Sequence, residues 1–198
     1  MLRPLPVPER QWREISINFI GPLPISKKCK MLMVITDRLS KGVILEGCEN
    51  TETEHVVDLL IKRFYRYHGV PSAIISDQGG QFISHLWKRL CEILRINRRI
   101  STTYHPETDG STERVNTEVE KLLRRLVNHQ QDDWVDWLPI VELALNGRES
   151  ASTGTSAFFL SHGYHLDPLQ LAEGPSERYD SPEAEQIAKK IKEATEWA

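Results

Sequence analysis

Three apolar runs stand close together near the start of the chain, at residues 14–20, 30–36 and 42–48, each of strand length. Gly21-Pro22-Leu23-Pro24 follows the first and Asp37 to Lys41 separates the second from the third. Both are turn chemistries, so the three runs are expected to pair as a meander. The apolar pattern then changes period. Val56, Leu59, Leu60, Phe64 and Tyr67 recur at helical spacing over Thr53 to Tyr67 and are expected to face inward, with His68-Gly69 as the stop. A short apolar strand, Ala73-Ile74-Ile75-Ser76, comes next and exits at Asp77. Gly79 and Gly80 allow a tight turn into a helix whose stripe is Phe82, Leu86, Leu90 and Leu94, and a short strand is expected near Arg99 to Thr102. Strands first, then alternating helices and strands, imply an α/β fold with a mixed sheet flanked by helices.

The rest of the chain is predominantly helical. Val115, Val119, Leu122 and Leu126 form one apolar stripe, with Glu113, Asn116, Thr117, Glu120, Lys121 and Arg124 on the polar face. Trp134 to Ala144 makes an apolar helix, and Asn146-Gly147 suits a left-handed stop. Pro182 to Trp197 reads as a terminal helix rich in Glu and Lys, a connector after the main body. Pro4, Pro6 and Pro8 describe an extended linker. The expected division is therefore a linker over 1–11, one core domain over 12–170 and a linker with a helix over 171–198.

At 198 residues and 39% hydrophobic content the chain can bury one substantial core. It has no apolar run of membrane-spanning length, and MLRPLPVPER lacks a signal peptide's apolar centre, so it reads as soluble with no membrane partner. Cys29, Cys48 and Cys91 are odd in number and widely spaced, which argues against a disulfide framework and a cysteine zinc site. The net charge of −3 does not advertise a nucleic-acid binder. Local charge differs: residues 78–130 hold nine basic and six acidic side chains, a surplus suited to phosphate contact.

Two acidic residues stand out by setting. Asp77 sits at the carboxyl end of a buried strand, where α/β sheets place ligands, and Glu113 lies near the start of a helix, with thirty-five residues between them. Hard divalent cations take one or two such carboxylates completed by water and substrate phosphate. Each residue alone has a plainer reading. Asp before glycine is commonly a turn residue, and Glu113 alone would be an exposed helix glutamate or part of a cap with Asp109 or Ser111.

The words around the pair are WREISINFIGPLP (12–24), VITDRLSKGVIL (34–45), FYRYHGVPSAIISDQGGQF (64–82), YHPETDGSTERVN (104–116) and WLPIVELALN (137–146). Together they resemble the catalytic core of gypsy-type retrotransposon and retroviral integrases, from about Arg3 to Leu169. The resemblance implies a ribonuclease H-like fold with a mixed five-stranded sheet flanked by helices. It makes Asn18, Asp77 and Glu113 the catalytic and metal positions, with Asn18 standing where the family carries its first aspartate. Active relatives use two Mg2+ or Mn2+ ions. A neutral amide at position 18 implies weak or absent binding and a polynucleotidyl transferase inactive or strongly impaired in DNA 3′-end processing and strand transfer.

Further family implications are Tyr104 and His105 in a loop near the scissile phosphate, and Asn116, Lys121 and Arg124 as DNA contacts. The implied partners are double-stranded retroelement DNA ends, target DNA, a second copy docked through core helices, and room for a chromatin partner. The implied location is the nucleus, after a cytoplasmic phase. Asp37 is the one nearby acid that could substitute for Asn18, but it opens a turn and reads as structural. Complete integrases of this type carry a His-His-Cys-Cys zinc domain before the core and a DNA- or chromatin-binding region after it, so an excised core is expected. The competing reading is a domesticated DNA- or protein-binding module that has lost catalysis.

Overall fold

The computed structural model describes residues 7–100, 106–167, 169 and 181–197, apart from the side chains of 106–112 and 197. The three apolar runs pair as β1 (Glu14–Ile20), β2 (Met31–Asp37) and β3 (Val43–Cys48) in an antiparallel meander. Two parallel strands, β4 (Ala73–Ser76) and β5 (Asn97–Ile100), extend the sheet on the other side of β1, giving the order β3-β2-β1-β4-β5. The last strand begins two residues earlier than the sequence suggests, and residues 101 and 102 lie outside the described set.

Strand alternation divides the core into two layers. Ile15 and Ile17 of β1, with Ile35 and Ile74, face one side, where they pack on Val56, Leu60, Phe64, Phe82 and Trp87. Ile20 faces the other side with Leu32, Val34, Val43 and Leu45, under α5 (Pro106–Leu126) and α6 (Trp134–Gly147). Ser16 and Asn18 share this second face because they alternate with Ile15 and Ile17. After the short helix α7 (Ala157–His162), the terminal helix α8 (Pro182–Trp197), expected as a connector, packs on α5 and α6 with Ala194 buried. Its Lys190 Nζ donates to the Leu126 carbonyl at 2.8 Å, capping α5, and lies 4.5 Å from the Trp137 ring centre.

Two helical stripes are out of phase with the sequence pattern, each for a local reason. The helix of residues 53–68 is α1 (Thr53–Leu59), a π-helical turn (Leu60–Tyr65) and α2 (Arg66–His68). The π turn adds residues per turn and rotates the rest of the helix, so Tyr67 is 62% exposed instead of inward. His68 takes the inner position, stacked on Trp12 with ring centres 4.4 Å apart, and Gly69 at φ 74° ends the helix as expected. After Asp77, the expected single helix is broken at Ser84 into α3 (Gly80–Ile83) and α4 (His85–Ile93). Ser84 is extended and accepts a hydrogen bond from the Trp87 backbone N–H, resetting the phase. Trp87 and Cys91 are therefore buried, and Leu86 is 45% exposed.

The expected left-handed stop at Asn146-Gly147 is also absent, since the helix ends on Arg148 in an extended conformation. Asn146 instead faces the edge strand β3. Its Oδ1 accepts from Val43 N–H at 2.7 Å and its Nδ2 donates to the Val43 carbonyl at 2.8 Å. One turn earlier Glu142 accepts from Leu45 N–H at 2.8 Å. Burial pushes the Glu142 carboxyl up, against the opposing effects of that hydrogen bond and of Arg63, which also sits 2.6 Å from Glu46. Asn146→Ala leaves both Val43 backbone groups without a partner and is expected to cost about 1–3 kcal/mol in urea unfolding. Asn146→Asp, which keeps only the acceptor, should fall between.

Candidate active site

The central constraint is the pairing of β1 with β4. Their parallel register runs Glu14↔Ala73, Ile15↔Ile74, Ser16↔Ile75 and Ile17↔Ser76. One further step sets Asn18 beside Asp77, on the face that carries Ser16 and Ile20, because laterally paired residues share a face. Sequence spacing alone does not contain this neighbourhood. Beyond the strand, Asp77 Oδ1 accepts a hydrogen bond from Gly79 N–H at 2.9 Å, so the turn reading of this residue also holds. A Cβ at position 79 would lie 2.9 Å from that oxygen, and glycine therefore lets the carboxylate keep its place. Asp77 is exposed at its strand end.

The helix α5 crosses the same face. Val119, Leu122, Leu123 and Leu126 are buried beneath it, each worth roughly 1.5–3 kcal/mol relative to exposure. Its two flanks face different neighbours. Arg114, Val115 and Glu118 line a cleft with Ser40, Lys41 and Val43, whereas Glu120, Leu123 and Arg124 line one with Ile20 and the Gly21–Pro24 turn. Glu113, Asn116 and Glu120 recur at i, i+3 and i+7 and so share the flank toward the end of β1. Glu113 is exposed; its backbone carbonyl accepts from the Thr117 hydroxyl at 2.8 Å, and its carboxylate makes no hydrogen bond or ion pair among the described residues. Asn116, expected on an outward polar face, is half-buried, and its Oδ1 is buried without a hydrogen-bond partner; Thr36 Oγ1, from the strand beside β1, is likewise unpartnered.

Lys121 is exposed, and Arg124 pairs with Glu120 at 3.1 Å, an exposed contact of the kind worth little. Tyr104 and His105 lie outside the described residues. Asp37 is fully buried: it accepts from Trp12 N–H at 3.0 Å, from Ser40 N–H at 2.8 Å and from the Ser40 hydroxyl at 2.6 Å. Those bonds make it the anchor of the β2–β3 turn and not a spare ligand.

A polar cluster that the sequence pattern did not reveal lies at the other end of β1. Glu14 receives a two-pronged hydrogen bond from Arg99, at 2.7 and 3.1 Å, and another from Arg38. Burial alone would push the Glu14 carboxyl up, but the hydrogen bonds and charges of Arg99 and Arg38 outweigh it and hold it below its ordinary 4.5.

The donor set fits a hard cation. Asp77 has an oxygen not used by Gly79, the Glu113 carboxylate makes no ion pair among the described residues, and Asn18 offers an amide oxygen. Two carboxylates with an amide suit magnesium or manganese, although an amide is a poor bridge between two ions. No cluster of three or more His, Cys, Asp or Glu arranged for metal binding occurs among the described residues.

A mixed five-stranded sheet in this order, flanked by helices, is the ribonuclease H-like fold of integrase catalytic cores. The core domain of HTLV-2 integrase, solved with magnesium in a trimeric form, superposes with a TM-score of 0.62 at 18% identity, over 78% of this chain and 99% of that one. The integrase of a simian T-cell lymphotropic virus intasome, solved with a regulatory subunit of PP2A, gives 0.65 at 17% identity, over 88% of this chain and 63% of that one. Residues 13–106 match the integrase core domain. The transposon Tf2-3 and Tf2-4 polyproteins of Schizosaccharomyces pombe are each 36% identical over 173 residues, 86% of this chain. The chain spans 13% of the length of those polyproteins.

The Glu14 cluster predicts a pH dependence. A carboxyl lowered by folding adds stability above its unfolded value and loses it as pH falls through the folded one. The parent should exceed Glu14→Gln in urea stability above its ordinary value of 4.5, and the gap should close as the medium is acidified below it.

Proposed function

We propose that the chain is the catalytic core of a gypsy-type retrotransposon integrase, carrying out 3′-end processing and strand transfer in its parent form and disabled here at one ligand. The observation that carries this reading is the β1–β4 register, which sets Asn18 beside Asp77 on the face crossed by the Glu113 helix. Asp77 and Glu113 would hold magnesium or manganese, which when bound would supply charge stabilisation for attack on a phosphodiester. Asn18 occupies the third position with a neutral amide. It can contribute an oxygen but no negative charge between two ions, and the reaction is impaired in proportion.

The remaining residues orient DNA. Lys121 and Arg124 face outward on α5 to meet backbone phosphate, the latter after leaving Glu120. Asn116, with its amide oxygen unpartnered, receives a donor from the DNA end or from ordered water. Tyr104 and His105 precede α5 in the sequence and complete the approach to the scissile phosphate. The partners are retroelement DNA ends and target DNA, with a homodimer through core helices and a chromatin partner in the nucleus. The second reading, a domesticated binding module, is favoured by Asn18 itself, since a binding role has no need of a third carboxylate.

The deciding measurement is strand transfer into plasmid DNA with manganese, comparing the chain with Asn18→Asp, each joined to the flanking zinc and DNA-binding domains. The variant is expected to gain on the order of 100-fold or more, the scale of a few kcal/mol of charge stabilisation. Equal activity would show that Asn18 supports catalysis. Silence from both, in folded protein, would transfer the assignment to the binding module.

A further inference from the structure

We infer that the cleft on the opposite flank of α5 is a second seat for a backbone phosphate of duplex DNA, held by Lys41 and Arg114; this rests on the integrase reading and adds a contact to it. The cleft has a volume of about 480 Å³ and lies between α5, the β2–β3 turn and the small hairpin of β6 (Glu149–Ser150) and β7 (Thr155–Ser156). Its polar lining includes Ser40, Lys41, Arg114, Arg148, Ser150 and Ser152, with Glu118 and Glu149 as its carboxylates.

Charge pairing inside the cleft leaves a defined surplus. Arg148 and Glu118 form an ion pair at 3.1 Å and cancel. Lys41 and Arg114 then face one carboxylate, Glu149, and neither makes an ion pair with a described residue. The remainder is one positive charge, matching one phosphodiester. Lys41 is also preset. It sits at φ 64° in the turn anchored by buried Asp37, its N–H donates to the Asp37 carbonyl at 3.1 Å, and its ammonium donates to the Arg38 carbonyl at 3.0 Å. Burial and the neighbouring Arg38 guanidinium push that ammonium's pKa down, against the pull of Asp37, so the cation is under-compensated where it stands. The hydroxyls of Ser150 and Ser152, 2.9 Å apart, add donors on the opposite wall.

Position ties the cleft to the catalytic flank. Arg114 is the residue after Glu113 and projects about 100° further round the helix. A helix is about 10–12 Å across, roughly three base-pair steps of a duplex at 3.4 Å each. A duplex presented to Asp77 and Glu113 can therefore cross the start of α5 and set a later phosphate on Lys41 and Arg114.

The test is equilibrium binding of a short blunt duplex to the full chain across a salt series, read by fluorescence anisotropy. Lys41→Gln with Arg114→Gln is compared with a control pair of equal charge, Arg66→Gln with Lys189→Gln, thermal unfolding confirming that both are folded. Loss of this one phosphate contact should lower the slope of log affinity against log salt by about 0.9 and weaken binding by roughly 10-fold, with Lys41→Gln alone giving about half the change in slope. The control pair should match the parent. Parent-like binding by the Lys41 and Arg114 variants, or an equal loss in the control pair, overturns the contact alone. Failure of the parent to bind duplex at all overturns the integrase reading and the contact with it.

Discussion

The parallel pairing of β1 with β4 is the interaction on which the rest of the structure turns. It joins an antiparallel meander to a crossover unit, and it does so at a strand whose Ile15 and Ile17 are fully inaccessible. The side chains of β1 then serve two layers at once. The odd-numbered residues anchor the helices on one face, and the even-numbered ones leave Ser16 and Asn18 as polar positions under α5. A polar pair under an apolar helix is costly unless its groups find hydrogen-bond partners.

The apolar burial of α5 fixes the site as firmly as the strand register does. The Glu113 carboxylate has no hydrogen bond or ion pair among the described residues, so its position is inherited from Val119, Leu122, Leu123 and Leu126 further along the same helix. Lys190 strengthens that support by closing the far end of α5. The residues that locate the carboxylate are thus apolar and lie further along the helix.

Much of this was legible in the sequence, because strands and helices announce themselves by period and turns by glycine and proline. The meander, the exit of β4 at Asp77 and the helix of Glu113 all arise from such local signals. Phase within a helix did not. Ser84 and the π turn at Leu60–Tyr65 each shift a stripe, and neither changes the local count of apolar residues that the eye reads. The site was legible in part. Residue types and spacing mark Asn18, Asp77 and Glu113 as candidates, whereas the adjacency of Asn18 and Asp77 follows only from extending the register of two segments nearly sixty residues apart. The Arg99–Glu14–Arg38 cluster and the half-buried setting of Asn116 stayed hidden for the same reason, since tertiary packing and not local pattern creates them.

The closed edge of β3 bears on how copies of this protein can meet. Asn146 and Glu142 occupy backbone positions that a strand from another molecule would otherwise claim. At this edge the sheet cannot grow by adding a strand, and association there must proceed by docking of surfaces between molecules that remain separately folded. Assembly on that side is then reversible and tunable through side chains.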